Sequence, residues 1–358
     1  MTEDEAMRRA LDLAWRGWGR VHPNPMVGAV LLRDGAVVGE GWHAEFGGEH
    51  AERAALAAAG GQARGATLLV TLEPCAHQGK QPPCAPAVAD AGVRRVAYAL
   101  ADPNPAAAGG AGVLRGRGVE VARLEAFGDE ASAQNAGFLH SHVAPGRPWV
   151  ALKLATSLDG RIADADGRSR WVSGPEAREW VHWLRAGFDA IGVGAETARR
   201  DDPSLSVRGP VAPRREPLRV AFLRDSTLPA GLRLLQEVGG RPGVIVRVGG
   251  RPGAAPTTGA TELPVSDLAG GVRALGELGV GSLLVEGGGR LAGALLAAGL
   301  VDRLYWVQAP VWLGEGVPAV AGLPAVALDR APRWRVVERR ALGEDTLLVA
   351  DRACSPES

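Results

Sequence analysis

Apolar positions along this chain recur with two different spacings, which together predict an α/β protein. Residues 3–18 carry apolar side chains at helical spacing and predict an N-terminal helix. The apolar runs 27–32 and 36–42 flank Asp34-Gly35, a dipeptide that favours the tight turn of a β-hairpin. The alanine-rich run 50–59 ends at a glycine pair and predicts a helix that begins at His50.

Strands and helices alternate through to the C-terminus, and one predicted linker separates them into two series. The proline- and glycine-rich run 144–148 predicts a linker, so we expect two α/β domains, 1–145 and 146–358, the first with a mixed sheet covered by helices. The stretch 249–258 predicts a surface loop. Further strands are predicted at 66–72, 93–100, 149–155, 190–193, 218–223, 244–248, 282–285, 304–308 and 346–349, further helices at 84–91, 175–186, 267–278 and 288–300, and continued alternation at 112–117, 119–123 and 129–140.

The composition narrows the class of protein. The 358 residues carry 40 basic and 40 acidic side chains, so no excess charge favours nucleic acid or an anionic membrane. No apolar run is long enough to span a bilayer, and the acidic N-terminus lacks a signal segment. Three cysteines without a pairing framework suit a reducing compartment. We therefore expect a cytoplasmic protein that binds neither membrane nor nucleic acid.

The strongest chemical signal is His50-Ala51-Glu52 followed by Cys75 and Cys84, each cysteine preceded by proline. One imidazole and two thiolates are three ligands of a catalytic zinc ion, which keeps its fourth position for water. A His-x-Glu pair with a Pro-Cys…Cys set is the signature of zinc-dependent base deaminases. We therefore predict one zinc ion per chain on His50, Cys75 and Cys84, with Glu52 moving protons for the hydrolysis.

The same residues allow a second interpretation, a closed zinc site that only stabilises the fold. Such a site needs a fourth protein ligand, and His43 or His77 would be available. The carboxylate of Glu52, two residues after the histidine ligand, weighs against this interpretation.

The gap between the two cysteines points to the substrate. Eight residues separate Cys75 from Cys84, more than nucleic-acid and cytidine deaminases commonly have. The longer loop carries His77 and Lys80, donors suited to a polar or phosphorylated substrate. Two Pro-Asn-Pro turns, at 22–25 and 102–105, add amide and carboxylate groups, although each is also explained as a rigid turn.

Together these motifs resemble the bifunctional deaminase–reductase family of riboflavin biosynthesis, and the resemblance covers nearly the whole chain. It rests on 22–25 with 27–28, on 48–52, on 71–80 with 82–84, and on 102–105. The resemblance implies a cytidine-deaminase-like N-terminal domain and a dihydrofolate-reductase-like C-terminal domain, with Zn²⁺ and NADPH as cofactors. It implies deamination of 2,5-diamino-6-(5-phosphoribosylamino)pyrimidin-4(3H)-one, then reduction of the ribosyl group of 5-amino-6-(5-phosphoribosylamino)uracil to the ribityl product.

The resemblance also implies the residues of the first site. The zinc ligands and proton carrier are those predicted from the motif, and His77 becomes a substrate contact rather than a fourth ligand. The implied deaminase substrate contacts are Asn24, His43, His77, Lys80, Asp102 and Asn104.

A lysine inside an apolar strand marks a second site. Lys153 lies within 149–155, where an ammonium group needs a partner or a function, with Asp201 or Glu286 as the charged neighbour. Strand alternation would instead place Lys153 on a solvated face. At 285–293 a strand, a glycine turn and a helix start offer free N–H groups to a pyrophosphate, although packing alone would explain the glycines.

The resemblance implies the residues of a reductase site around Lys153, which we take as catalytic. Among the implied substrate contacts, Arg185 and Arg208 suit clamps on a 5′-phosphate, although many of the chain's arginines must be ordinary surface residues. The implied substrate contacts are Ser169, Arg185, Leu205, Arg208 and Glu286. The implied NADPH contacts are Ala155, Trp171, Thr197, Asp201, Ser226, Gly288, Gly289, Arg290, Leu291, Ala292, Gly293 and Ala294.

Two rival functions stay open at this point. One is a nucleic-acid-editing deaminase with a C-terminal binding module, and the other is a zinc-stabilised scaffold whose second domain only binds nucleotide. Zero net charge, the lack of a basic stretch and the eight-residue cysteine gap disfavour the first. We expect a homo-oligomeric enzyme acting on small phosphorylated pyrimidines.

Overall fold

A computed structural model describes residues 1–224, 227–249 and 259–353. It divides into two compact units, Met1–Pro145 and Gly146–Ser358, with the division at the expected linker. Most of the expected surface loop at 249–258, and Ser226, lie outside the described residues. Every described helix is too short or too polar to cross a bilayer.

The first unit is built on a five-stranded mixed sheet. The strand order is β2-β1-β3-β4-β5, with β1 antiparallel to β2 and β3 and the last three strands parallel. The strands are β1 (Gly28–Arg33), β2 (Ala36–Trp42), β3 (Thr67–Leu72), β4 (Arg95–Leu100) and β5 (Glu120–Arg123), and the helices are α1 (Glu3–Ala14), α2 (Ala51–Ala59), α3 (Cys84–Asp90), α4 (Gly110–Gly116), α5 (Gly128–Gln134) and α6 (Ala136–Val143).

Local sequence explains where these elements start and stop. The side chains of Thr2 and Glu5 form a capping box at the start of α1. Asp34 and Gly35 both have positive φ, 51° and 77°, which matches the hairpin turn that favours Asp-Gly. The segment 129–140, expected to continue the alternation, forms two helices, because the chain breaks at Asn135, whose side chain bonds both backbone groups of Met26.

Two glycines let α2 lie directly on β2. A Cβ atom added at Gly41 would lie 2.4 Å from the carbonyl oxygen of Ala51, and one at Gly39 would lie 2.4 Å from that of Ala55. Since real Cβ atoms do not approach so closely, only glycine permits this packing. The close contact fixes the first turn of α2 against the sheet.

The second unit is built on a nine-stranded sheet in the order β11-β10-β9-β8-β12-β6-β13-β16-β15. Its first seven strands are parallel and the last two antiparallel, while β7 and β14 form a separate pair. The strands are β6 (Trp149–Thr156), β7 (Arg161–Asp164), β8 (Ala190–Gly194), β9 (Leu218–Leu223), β10 (Val244–Val248), β11 (Thr261–Val265), β12 (Ser282–Glu286), β13 (Arg303–Gln308), β14 (Gly316–Pro318), β15 (Trp334–Leu342) and β16 (Asp345–Arg352), and the helices are α7 (Pro175–Ala186), α8 (Ala195–Asp201), α9 (Leu268–Glu277) and α10 (Gly289–Ala297).

The strand β6 lies inside this sheet, between β12 and β13. Its apolar residues Val150, Leu152 and Leu154 belong to the core that packs beneath α9 and α10. The strands β12 and β8 run parallel to it, so their carboxyl ends meet at one edge of the sheet. Ligands of open α/β sheets bind at that edge.

Candidate functional site

The three predicted zinc ligands converge in the first unit. His50 precedes α2 as its N-cap, Cys84 is the first residue of α3, and Cys75 follows β3. His50 Nδ1 lies 3.6 Å from Cys75 Sγ and 3.4 Å from Cys84 Sγ. Tetrahedral zinc with usual bond lengths holds a nitrogen and a sulfur ligand about 3.6 Å apart. The observed distances from His50 Nδ1 to the two sulfur atoms therefore fit a zinc site.

The electrostatics of the two thiols also suit a metal. The Cys84 thiol hydrogen-bonds to Cys75 and lowers the Cys75 pKa to about 4, although burial opposes the shift. The same shared proton raises the pKa of Cys84. The Cys84 backbone N–H adds a 3.3 Å hydrogen bond to Cys75 Sγ. Cys75 is thus prepared as a thiolate, the form that binds metal.

The proposed proton carrier, Glu52, is buried beside this set. Its side chain lies in the first turn of α2 and only 4% of the residue is exposed. Burial, reinforced by the charge of Cys75, raises the pKa of Glu52 to about 7. A carboxyl group with a pKa near the working pH gives up and takes back protons readily.

His43 is engaged elsewhere and is not a fourth zinc ligand. Its Nδ1 lies 2.9 Å from the carbonyl oxygen of Glu49, which can only accept, so Nδ1 carries the proton. Its Nε2 then accepts from the Asn24 amide at 3.1 Å. Burial lowers the pKa of His43, which keeps the ring neutral. With both nitrogens engaged, His43 and Asn24 form a fixed pair beside His50, whose ring centroid lies 5.4 Å away.

The long cysteine loop packs on a segment that the sequence reasoning did not single out. Lys80 Nζ lies 3.9 Å from the centre of the Phe46 ring, a cation–π contact. Gln81 donates to the carbonyl oxygen of Gly47 at 2.9 Å. The Nδ1 atom of His77 is buried without a hydrogen-bond partner among the described residues. The loop is therefore anchored, with an unused acceptor or donor on His77.

The second Pro-Asn-Pro turn is locally bonded and electrostatically linked to the zinc set. Asp102 accepts from the Asn104 backbone at 2.9 Å, and Asn104 accepts from Ala106 at 3.1 Å. Burial raises the pKa of Asp102, with a smaller contribution from the charge of Cys75. The turn at 102–105 is thus stabilised by its own hydrogen bonds, and its Asp102 is influenced by the charge of the predicted zinc ligand Cys75.

In the second unit a cleft of about 2020 Å³ opens at the carboxyl ends of the strands. Its described lining carries ten Lys and Arg side chains against five carboxylates, although the whole chain is neutral. Such a surplus of positive charge suits phosphorylated ligands. The predicted residues that line it are Lys153, Ala155, Ser169, Trp171, Arg185, Thr197, Asp201, Leu205, Arg208, Glu286, Gly288, Gly289, Arg290, Leu291 and Ala294.

Two expected cofactor contacts, Ala292 and Gly293, are not among the residues that line this cleft. Ala292 is fully buried in the apolar core. A Cβ at Gly293 would lie 1.9 Å from the carbonyl oxygen of Ala321, so this glycine serves close packing. Both face away from the cleft because successive helical residues point in different directions. Ser226 lies outside the described residues.

The turn before α10 fits a dinucleotide. Gly287 and Gly288 have φ of 68° and 78°, which non-glycine residues rarely adopt. A Cβ at Gly288 would lie 3.3 Å from Thr197 Oγ1, so the absence of a side chain leaves the backbone open beside Thr197. Gly289 and Arg290, the first residues of α10, line the cleft, and the start of a helix is a place where free N–H groups bind phosphate.

Lys153 meets its charged partner across the sheet. Glu286 on β12 is its register neighbour, and Tyr305 on β13 is the neighbour on the other side. Burial lowers the pKa of Lys153, while the charge of Glu286 and, more weakly, that of Asp345 oppose this. Glu286 is therefore the neighbour that the sequence reasoning sought, and Asp201 lines the same cleft.

Arg185 directs its guanidinium at the protein itself. Its Nε and Nη2 atoms lie 2.6 and 2.8 Å from the two carboxylate oxygens of Glu286, and Nη1 donates to the Ser206 carbonyl at 3.1 Å. Burial alone would raise the pKa of Glu286, but Arg185 and Lys153 hold it below its usual value. Of the two expected phosphate clamps, Arg208 is the exposed one, and it also lines the cleft.

An open His-Cys-Cys set with a buried glutamate, joined in one chain to an α/β unit with a basic cleft, defines a two-domain deaminase–reductase. Comparison with known proteins agrees. Residues 1–100 match the cytidine and deoxycytidylate deaminase zinc-binding region, and residues 148–348 match the RibD C-terminal domain.

Full-length relatives place the chain more narrowly. The riboflavin biosynthesis protein RibD of Escherichia coli K12 is 40% identical over 366 residues, covering 97% of this chain and 99% of the relative. RibD of Mycobacterium tuberculosis H37Rv is 39% identical over 349 residues, 96% of each chain. The chain belongs to the RibD family of riboflavin-biosynthesis deaminase–reductases.

Solved structures agree with this assignment. The deaminase/reductase of Thermotoga maritima superposes with a TM-score of 0.83 at 33% identity, covering 98% of this chain and 99% of that one. One form of RibD from Acinetobacter baumannii gives 0.82 at 34% identity with the same coverage. The predicted fold class, family, two activities and the cofactors Zn²⁺ and NADPH are thereby confirmed. The protein is both a hydrolase and an oxidoreductase.

Proposed function

We propose that Met1–Pro145 deaminates 2,5-diamino-6-(5-phosphoribosylamino)pyrimidin-4(3H)-one and that Gly146–Ser358 reduces the ribosyl group of the resulting 5-amino-6-(5-phosphoribosylamino)uracil. The T. maritima relative is named a diaminohydroxyphosphoribosylaminopyrimidine deaminase/5-amino-6-(5-phosphoribosylamino)uracil reductase, which supports this substrate pair. The observation that carries the proposal is the tetrahedral spacing of His50, Cys75 and Cys84 with Glu52 buried beside them.

In the first unit the chain supplies three ligands and one proton carrier. When bound, zinc makes water nucleophilic at neutral pH by lowering its pKa. Glu52 takes a proton from the attacking water and passes it to the ring nitrogen, and a second transfer accompanies the loss of ammonia. The neutral His43 and Asn24 pair, fixed beside His50, offers the ring an oriented polar surface. The balance is one water consumed and one ammonia released.

In the second unit the reduction consumes one hydride and one proton. NADPH, when bound, supplies the hydride, and the glycine turn before α10 with Thr197 would hold its phosphates. Lys153 supplies an ammonium group inside the cleft, and the Glu286 carboxylate opposite favours its charged form. We assign Lys153 to donate the proton that accompanies opening and reduction of the sugar. Arg208 binds the 5′-phosphate.

One titration tests the two-step function. Purified full-length protein receives NADPH and the diaminopyrimidine phosphate, and ammonia and the absorbance of NADPH are followed together. We expect ammonia first and loss of NADPH only after deamination. Absence of ammonia release from this substrate would refute the function of the first unit, and an unchanged NADPH signal with pre-formed aminouracil would refute that of the second.

We further propose that the protein works as a homo-oligomer in the cytoplasm, without nucleic acid or membrane. Its metal-binding thiols, Cys75 and Cys84, are free cysteines, which favours a reducing compartment. The strand β15 ends the nine-stranded sheet, and such an edge offers backbone groups to a second copy. Light scattering of the purified protein tests the oligomer, since a monomeric mass across concentrations would contradict it.

A further inference from the structure

A carboxylate just after β6 ties two loops of the second unit together. Asp159 lies in the loop 157–160, between β6 and β7. Its Oδ1 accepts from the backbone N–H of Leu313 at 3.2 Å, and its Oδ2 accepts from that of Gly314 at 2.8 Å. Two consecutive N–H groups thus bond one anion, an arrangement that turns of the backbone provide. The carboxylate therefore fixes the turn at 313–314 to the end of β6.

The side chain of Asp159 is itself held in place by Ser157. The fully buried Ser157 donates from Oγ to Asp159 Oδ1 at 2.6 Å and accepts from the N–H of Arg161 at 2.9 Å. The hydrogen bond from Ser157 lowers the pKa of Asp159, although burial opposes the shift, and the two bonds from the turn lower it further. The position and the charge of Asp159 are therefore both set by contacts within the protein.

Two backbone hydrogen bonds hold the ends of the same segment, 311–319. Leu158 donates to the carbonyl oxygen of Val311 at 2.8 Å. Ala319 donates to the carbonyl oxygen of Gly160 at 2.9 Å. The bonds to the carboxylate lie between these two points, so they are the attachment of the middle of the segment.

This segment forms part of the cleft and packs on the start of α10. Residues 315–318 line the cleft. A Cβ atom added at Gly289 would lie 2.2 Å from the carbonyl oxygen of Pro318, and Ala321 donates to the carbonyl oxygen of Gly289 at 2.9 Å. Because Gly289 is a predicted NADPH contact, the position of the segment bears directly on the place where the cofactor would bind.

We propose that Asp159 is a positioning residue of the reductase, which holds the segment 311–319 against the start of α10 and thereby strengthens the binding of NADPH. The inference rests on the proposed cofactor contact of the glycine turn before α10. Asp159 acts through the protein, because both its oxygens accept from backbone N–H groups and it is not among the residues that line the cleft. Without the carboxylate, NADPH would have to order the segment as it binds, and that loss of entropy lowers affinity.

The test is the affinity of Asp159→Ala for NADPH, measured by titration calorimetry on the full-length protein without the pyrimidine substrate. We expect Kd to rise about tenfold, the order of the cost of fixing the backbone of one residue. Asp159→Asn keeps one acceptor oxygen and should raise Kd about threefold. In steady-state reduction, KM for NADPH should rise in parallel. We expect kcat at saturating NADPH, and KM for 5-amino-6-(5-phosphoribosylamino)uracil, to stay within about twofold.

Asp189→Ala is the matched control. Asp189 Oδ2 accepts from the backbone N–H groups of Gly281 and Ser282, both at 2.9 Å. It therefore makes the same kind of contact at the opposite, amino-terminal ends of β8 and β12. Its loss should lower the melting temperature of the protein and leave Kd for NADPH within about twofold of wild type.

Three results would overturn the positioning role. They are an unchanged Kd in folded Asp159→Ala, a rise in KM for the aminouracil in place of NADPH, and an equal loss of NADPH affinity in Asp189→Ala. If Asp159→Ala does not fold, an unchanged Kd in Asp159→Asn overturns the role as well. The proposed cofactor contact of the glycine turn fails separately: Gly288→Ala places a Cβ 3.3 Å from Thr197 Oγ1, and a normal Kd in that variant would refute the contact.

Discussion

Glu286 lies directly opposite Lys153 on the adjacent parallel strand, and the Arg185 guanidinium bonds both oxygens of the same carboxylate. Two cations thus share one buried anion at the floor of the cleft. Since a buried charge without partners is costly, each member of this group constrains the other two. Burial lowers the pKa of Lys153, and the negative charge of Glu286 opposes that shift.

Replacement of Lys153 by alanine should therefore abolish reduction and leave deamination intact. Loss of a positioned proton donor costs about 100-fold or more in rate. NADPH consumption with pre-formed aminouracil measures the first activity and ammonia release the second. Lys153→Arg is the control, because it keeps a positive charge opposite Glu286. This variant should still bind the substrate. Reduction within tenfold of wild type in Lys153→Ala would contradict a catalytic role.

Replacement of Arg185 by leucine should destabilise the second unit in a pH-dependent way. In the wild type, ionised Glu286 stabilises the fold above the unfolded pKa of about 4.3, and this contribution is lost as pH falls through the lowered folded pKa. Without Arg185, burial should raise that pKa, so ionisation costs stability as pH rises. The destabilisation should grow from pH 4 to about 3 kcal/mol at pH 7.

Thermal melting of the two proteins between pH 4 and 7 measures this difference. The double variant Arg185→Leu/Glu286→Gln is the matched control, because it removes the titrating group and should lose most of the pH dependence. A loss of stability that is equal at pH 4 and pH 7 would show that Arg185 acts by packing alone.

Replacement of Glu52 by glutamine should retain zinc and stop ammonia release. The amide keeps the shape of the side chain but neither takes nor gives a proton in the needed way, so deamination should fall by about 100-fold to 10,000-fold. Metal analysis, ammonia release and reduction of pre-formed aminouracil are measured on one preparation. Retained deamination would exclude Glu52 as the proton carrier, and lost zinc would show a structural role instead.

Removal of the metal should separate the two activities. We expect a strong chelator, or Cys84→Ser, to abolish deamination while reduction of pre-formed aminouracil continues, because the cleft lies wholly in the second unit. Cys354→Ser is the matched control and should keep its zinc. Parallel loss of the reductase on chelation would contradict this independence.

The sequence alone predicted the zinc set because its signal is local. Three ligands at fixed spacing, each at a helix start or strand end, leave few other uses for His50, Cys75 and Cys84. The partner of Lys153 was predicted only as one of two acidic residues, since nothing in the sequence states which strand lies beside β6. The Phe46 contact of Lys80 depends on a tertiary contact, and no local pattern marks it.

The elements that sequence reasoning missed share one property, a weak apolar pattern. The edge strand β15 carries four charged residues at Arg335, Glu338, Arg339 and Arg340, so it lacks the apolar run of a central strand. The short helix α8 contains one buried residue, Ala198. Both are held by neighbours in space, and periodicity reports only faces that pack against a core.

Because α2 packs directly on β2, the position of the predicted zinc ligand His50 depends on Gly41 having no side chain. Any larger residue at Gly41 would collide with the first turn of α2 and displace His50 and Glu52 together. The sequence of such a variant would still contain every zinc ligand and the proton carrier Glu52. Surveys of natural or engineered variants that inspect only the reactive residues would therefore score as intact a protein that has lost its first activity.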